Sequence, residues 1–115
     1  MDRPNSIDAP ETFQDFWPRY LADHSQPANR ALHYIGSLAA FAALLLAAII
    51  GDWRIALAAP LLGYGAAWVG HFFIERNRPA TFRHPLWSLR GDLRMLMLWC
   101  RGGIRAELAR HEITP

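Results

Sequence analysis

Two stretches of the chain, IGSLAAFAALLLAAII at 35–50 and IALAAPLLGYGAAWVGHFFI at 55–74, carry no acidic or basic side chain except His71. Sequences with no polar face are buried all round or lie in lipid. At about 1.5 Å per residue the second run extends about 30 Å, a full hydrocarbon thickness, while the first covers about 24 Å and needs its flanks to span. Only Gly51-Asp52-Trp53-Arg54 separates them, a connection short enough to force an antiparallel helical hairpin. The expected architecture is all-α: a small integral membrane bundle built on a transmembrane hairpin with flanking amphipathic helices. Neither run reads as an export signal, because 34 mostly polar residues precede the first.

The 115 residues suffice for one domain. Residues 1–9 read as a loose N-terminal arm, 10–105 as a single helical membrane domain and 106–115 as a C-terminal tail. All twelve basic residues are arginine, set against ten acidic ones, and a net charge of +2 gives no footing for a nucleic-acid partner. Eleven of the arginines lie outside the hairpin and only Arg54 sits at its tip, so the positive-inside rule puts both termini in the cytoplasm. Arginine without lysine and abundant alanine suggest a GC-rich bacterial genome, hence a bacterial inner membrane. The lone Cys100 excludes a disulfide scaffold.

Before the hairpin, Phe13, Phe16, Trp17, Tyr20 and Leu21 follow the spacing of one helical face from Glu11 onward, and Pro18 is expected to bend or divide that helix. Ser25 and Pro27 mark the start of a helix running from about 27 to 50, with Ser25 as its cap and His33 on it. After the hairpin, Leu86, Leu89, Leu93, Leu96, Cys100 and Ile104 form one stripe and Arg90, Arg94, Arg101 and Arg105 another, the pattern of a helix lying among headgroups. A short insertion around Met95 to Cys100 is the alternative.

The hairpin topology gathers His24, His33, His71 and His84 at one membrane face. His33, Gly36, Ala40, Ala43 and Ala47 repeat at the 3, 4 spacing of a close helix seam, with His71, Ala67, Gly63 or Tyr64, Pro60 and Ala56 along a comparable line. If these seams pack together, His33 and His71 meet at the cytoplasmic mouth. Glu75 follows His71 at i+4, where two side chains of one helix can share an ion. Imidazoles with a carboxylate are the ligand set of a non-haem iron(II) site, and zinc uses the same groups. Interfacial histidines also serve as plain amphipathic anchors, and Glu75 is equally placed to cap the span or pair with Arg76 or Arg78. An ionisable group inside an apolar span is costly, which singles out His71.

FWPRYLADHSQPANRALHYIG, GYGAAWVGHFFIERNRPATF and HPLWSLRGDLRM resemble the blocks of the 2-hydroxy fatty acid dioxygenase family, over roughly Phe16 to Met97. The resemblance implies an iron(II) enzyme that shortens 2-hydroxy fatty acids by one carbon with dioxygen as co-substrate, in degradation of a sphingolipid base. The family's histidines correspond here to His24, His33, His71 and His84, read here as metal ligands, and its polar companions to Asn29, Arg30, Glu75, Asn77 and Asp92. On that footing iron is held by His33, His71 and His84 with His24 or Glu75 completing the shell. Arg30 or Arg90 grips the substrate carboxylate, and the acyl chain lies between the spans or along the interfacial helix. A zinc-dependent membrane hydrolase and a non-enzymatic hairpin or assembly protein are the rival readings.

Overall fold

The computed structural model describes residue 10 and residues 12–115, and the regular structure of these residues is all helical, without strands. The expected arm at 1–9 and the start of the first helix at Glu11 lie outside the described residues. Five α-helices follow in order: α1 (Phe13–Ala22), α2 (Pro27–Ile50), α3 (Ala58–Val69), α4 (Pro85–Arg101) and α5 (Ile104–Arg110). A 3-10 turn, Trp53–Leu57, leads into α3, a π-helical turn, Gly70–Glu75, leaves it, and a second 3-10 turn covers Ala80–Phe82.

α2 and α3 form the expected antiparallel hairpin. Gly51 takes a left-handed φ of 79° to end α2, and Asp52 caps the next turn by accepting from the Arg54 backbone N–H at 3.0 Å. The helices approach closely because Gly36 lacks a side chain: a Cβ there would stand 2.8 Å from Ala66 Cβ and 3.2 Å from the Gly63 carbonyl oxygen. On the α2 seam, His33, Gly36, Ala43 and Ala47 are buried as the spacing required. On the return helix Ala59, not Pro60, is buried. Straight α-helical extrapolation misplaces it, because the 3-10 and π turns on either side of α3 change the angle per residue.

The hairpin's outer faces are apolar and bare, with Leu45, Ile49, Leu61 and Phe73 each more than 60% exposed. Two helical stretches, Pro27–Ile50 and Trp53–Glu75, are long and apolar enough to cross a membrane. The packed core is elsewhere, at the base, where α1, α4, α5 and the start of α2 bury Phe13, Phe16, Trp17, Tyr20, Leu21, Tyr34, Met95, Leu96, Ile104 and Leu108.

α1 is one uninterrupted helix despite Pro18. The proline costs about 3 kcal/mol, but the same helix buries five large side chains at about 1.5–3 kcal/mol each, so packing overrides the break. α4 packs on α1 through Ser88, Gly91, Met95 and Leu96, leaving Leu86 and Leu89 exposed. The stripe expected to run through Ile104 therefore divides. Gly102, at φ 77°, ends α4 at Arg101, and Ile104 belongs to α5. The Met95–Cys100 segment supplies core residues to the base.

Residues 106–115, read as a tail, include most of α5, and the reason is Glu107. Its carboxylate is buried, accepts from Trp17 Nε1–H at 2.7 Å, pairs with Arg110 and lies 3.8 Å from Arg94. His111 stands 3.4 Å from the same carboxylate. Burial alone would raise the Glu107 pKa, but the Trp17 and Arg110 hydrogen bonds and the two arginine charges outweigh it and lower it. Its stabilisation is present at neutral pH and is lost as pH falls through that lowered value. Glu107→Ala leaves the Trp17 donor without a partner and is expected to destabilise the fold by about 2–4 kcal/mol, measured by denaturant unfolding in detergent. A change under about 0.5 kcal/mol, the range of an ordinary surface substitution, would contradict the assignment.

Candidate metal centre

Three of the four histidines singled out by the sequence meet at the base of the hairpin. His24 comes from the α1–α2 loop, His33 from the second turn of α2 and His71 from the π turn. Each is buried, and one ligand nitrogen from each lies within 4.8 Å of the others. The rings stand nearly perpendicular to one another, with centroids 4.4 to 4.9 Å apart.

Hydrogen bonds at the back of each ring fix which nitrogen faces the centre. His24 Nδ1–H donates to the Tyr20 carbonyl at 2.6 Å and His33 Nδ1–H to the Asn29 carbonyl at 3.0 Å. His71 Nδ1 lies 2.7 Å from Asn77 Oδ1. The Asn77 amide is oriented by Nδ2 donating to the Asp23 carbonyl at 3.0 Å, so its oxygen faces the ring and His71 Nδ1–H must donate. All three acceptors are oxygens, which places the proton on every Nδ1 and leaves every Nε2 as a bare lone pair. Two such lone pairs, His24 Nε2 and His33 Nε2, face each other at 3.1 Å. Neither can donate, and the contact is favourable only with a cation between them. Two nitrogens bound at about 2.1 Å to one ion stand about 3.0–3.4 Å apart, so the spacing suits a shared metal.

Burial lowers the His24 pKa well below the ordinary imidazole range, and the His33 and His71 charges push in the same direction. The ring is therefore neutral, the form that ligates metal. Tyr20 stacks on it at 4.0 Å between centroids, and the Tyr20 hydroxyl donates to Asp92. Burial raises the Asp92 carboxyl to about 7, against the lowering effect of that hydrogen bond. Spacing had marked Tyr20 only as part of the α1 apolar face, and its place four residues before His24 was the available clue to this second role.

The other expected ligands are not brought to the cluster. His84 is the residue before α4, its ring stacked on Trp87 at 5.2 Å and edge-on to Phe16 at 5.5 Å. Glu75 turns toward the start of α2, where its carboxylate accepts from Ser25 Oγ at 3.3 Å, Gln26 N–H at 2.8 Å and Asn29 Nδ2 at 3.1 Å. The α2 cap is thus Gln26, its backbone served by Glu75 from across the hairpin, and Ser25 points to the same carboxylate. In the π turn i+5, not i+4, is the aligned neighbour, and the Glu75 carboxylate is occupied by donors from the α1–α2 loop and α2. Arg30 is engaged too, Nη1 donating to the His24 and Ser25 carbonyls at 2.8 and 2.9 Å, which fixes the His24 loop. Arg90 lies over the Phe13 ring at 4.1 Å.

Glu75→Gln is expected to destabilise the fold by about 1–3 kcal/mol, through the donors it leaves poorly matched, and to keep the metal stoichiometry of the folded protein. Thermal unfolding and metal analysis on one sample read both. Loss of metal from fully folded Glu75→Gln would restore the glutamate as a ligand.

No curated protein and no solved structure matches the chain. A family model described as 2-hydroxy-palmitic acid dioxygenase Mpo1-like matches residues 10–104, which contain all three clustered histidines together with Asn29, Asn77, Asp92 and Tyr20. With a match over that much of its length, the chain belongs to the Mpo1-like family.

Proposed function

We propose that the protein is an iron(II)-dependent dioxygenase that shortens 2-hydroxy fatty acids by one carbon at a membrane interface, with His24, His33 and His71 holding the metal. The observation that carries this reading is the set of three buried imidazoles whose protonated nitrogens all face outward, leaving only lone pairs toward their common centre. The family's description supports the substrate and reaction class. A 2-hydroxy acid and dioxygen giving the acid one carbon shorter, carbon dioxide and water balances in atoms and electrons. Bound iron(II) would supply the one-electron chemistry with dioxygen that no side chain provides.

The chain's own residues supply the rest. Tyr20, Asn29 and Asn77 orient the three imidazoles through their oxygens. Asp92 lines the groove beside His33 and is held by the Tyr20 hydroxyl, which supports a role in accepting a hydrogen bond from the substrate's 2-hydroxyl and taking its proton. The three imidazoles are buried, so contacts at the cluster act at low dielectric. Arg30 donates to the His24 and Ser25 carbonyls and Arg90 lies over the Phe13 ring, so a bound ion would supply the positive charge opposite the substrate carboxylate. The bare apolar faces of α2 and α3 support insertion in a membrane, and the arginines beyond the hairpin support cytoplasmic termini, in a bacterial inner membrane.

The test is oxygen uptake by purified, iron-loaded protein with 2-hydroxypalmitate. Uptake that requires iron and the 2-hydroxyl, with formation of the 15-carbon acid, is the expected result. Three imidazoles also suit zinc. Turnover of an ester or amide by the zinc form, without oxygen uptake by the iron form, would replace this reading with a hydrolase.

A further inference from the structure

The histidine cluster is adjoined by a groove of about 310 Å³ walled by α2, α3 and α4. Its lining changes character along its length. His33 and Asp92 are at one end, whereas Ala40, Gly63, Leu44 and Ala59 line the remainder. From His33 to Leu44 is eleven residues of α2, or about 17 Å at helical rise. An extended chain advances about 1.2 Å per bond, so the groove accommodates roughly 14 bonds. Its volume sits at the bottom of the range for small-molecule sites, room for one chain and not for a pair. The small residues facing each other across the hairpin form its floor: a Cβ on Gly63 would rest in ordinary contact with Ala40 Cβ, at 3.7 Å, so the seam there is flat and closed.

We propose that this groove seats one unbranched acyl chain, polar end at His33 and Asp92 and methyl end beside Leu44 and Ala59, and that its depth selects chain length. The proposal rests on the assignment of the substrate as a 2-hydroxy fatty acid and adds where its tail lies and what measures it. The occupant follows from the lining: a polar end continuous with the metal cluster, then an apolar slot of one-chain width. The acyl tail thus runs along the seam where α2 and α3 meet, with α4 as the third wall. Because the outer faces of α2 and α3 are apolar and bare, the chain reaches the slot sideways from lipid.

The experiment uses the full chain in lipid nanodiscs, under anaerobic conditions, so that no turnover is needed. A 2-hydroxy fatty acid with a diazirine at its methyl end is photolysed and the labelled residues are mapped by mass spectrometry. Labelling concentrated on Leu44 and Ala59 and removed by excess 2-hydroxypalmitate is the expected result. Labelling spread over outward residues such as Leu45, Leu61 and Phe73 would overturn the proposal. Labelling displaced by phospholipid but not by 2-hydroxypalmitate would also overturn it, and would make the groove a structural lipid site.

In parallel, binding of 2-hydroxy acids from 8 to 18 carbons is measured on wild type and Ala40→Leu, with Ala59→Leu as a second obstruction at the far end. Each methylene displaced from the slot costs about fourfold in affinity. The 16-carbon acid is therefore expected to weaken by more than about tenfold in either variant, while the 8-carbon acid changes less than about twofold in Ala59→Leu. An unchanged length profile in both variants would refute length selection. Groove labelling without oxygen uptake in the iron-loaded protein would instead defeat the dioxygenase reading and leave the acyl site standing.

Discussion

Single replacement of His24, His33 or His71 by alanine is expected to lower metal affinity by more than about 100-fold, while His84→Ala leaves it within about threefold. Loss of an outer partner alone typically costs 10–100-fold, so loss of a ligand exceeds that range. The four variants separate the cluster from the wider set of histidines that the resemblance implies. His84 packs on Phe16 and Trp87, so its removal affects the packing of α4 on α1 and not the ion. Metal content after dialysis against a graded chelator series reads the result. Equal loss in all four variants would place the ion at a site that includes His84. Retention in His71→Ala would take the return half of the hairpin out of the site, because His71 is, among the described residues, its only contribution to the cluster.

The second large effect is expected from Gly70→Ala. Gly70 is the first residue of the π turn, buried against Asn29, and a Cβ there would overlap Asn29 Oδ1 and stand 2.8 Å from its Cγ. Asn29 is fully buried, donates to Glu75 and offers its carbonyl to His33. It cannot move without disturbing both the cap of α2 and one imidazole. Overpacking alone costs about 1–3 kcal/mol, and loss of the buried hydrogen bond adds about 1–3 kcal/mol. Gly70→Ala is therefore expected to destabilise by about 3–5 kcal/mol and to weaken metal binding by about 10–100-fold. Gly65→Ala on α3 is the internal control, since nothing lies within 4 Å of a Cβ there. It is expected to be neutral or stabilising by up to about 1 kcal/mol. Matching stability of the two variants by denaturant midpoint would show that the π turn and Asn29 are not in contact as described.

Phe13, Phe16, Trp17, Tyr20 and Leu21 were legible as a buried face because helical periodicity survives any tertiary arrangement that covers that face. The hairpin was legible from the absence of charge in two runs and the brevity of the link between them. The meeting of His33 and His71 followed from small-residue spacing on α2, since close backbone approach leaves few ways to align the helices.

What failed is local departure from α geometry. The π turn at Gly70–Glu75 has no reliable signature in composition, yet it turns Glu75 from a supposed i+4 partner of His71 into the cap of α2. Likewise the left-handed Gly102 divides an apparently continuous stripe, and a buried carboxylate at 107 organises what reads as a polar tail. Both His24 and His84 have an aromatic residue nearby in sequence, but only His24 lies in a loop tied by Arg30 to the mouth of α2. Long-range hydrogen bonds of this kind join residues whose spacing carries no period, so the pattern of one strand of text does not contain them.

X-ray absorption at the iron edge of the loaded, anaerobic protein tests the central claim most directly. The account predicts about three imidazole nitrogens at about 2.1 Å, with multiple scattering from three rings falling to two in the fraction of His33→Ala that still carries iron. A spectrum with one imidazole or none, or one unchanged by His33→Ala, would contradict convergence of these histidines on a single ion.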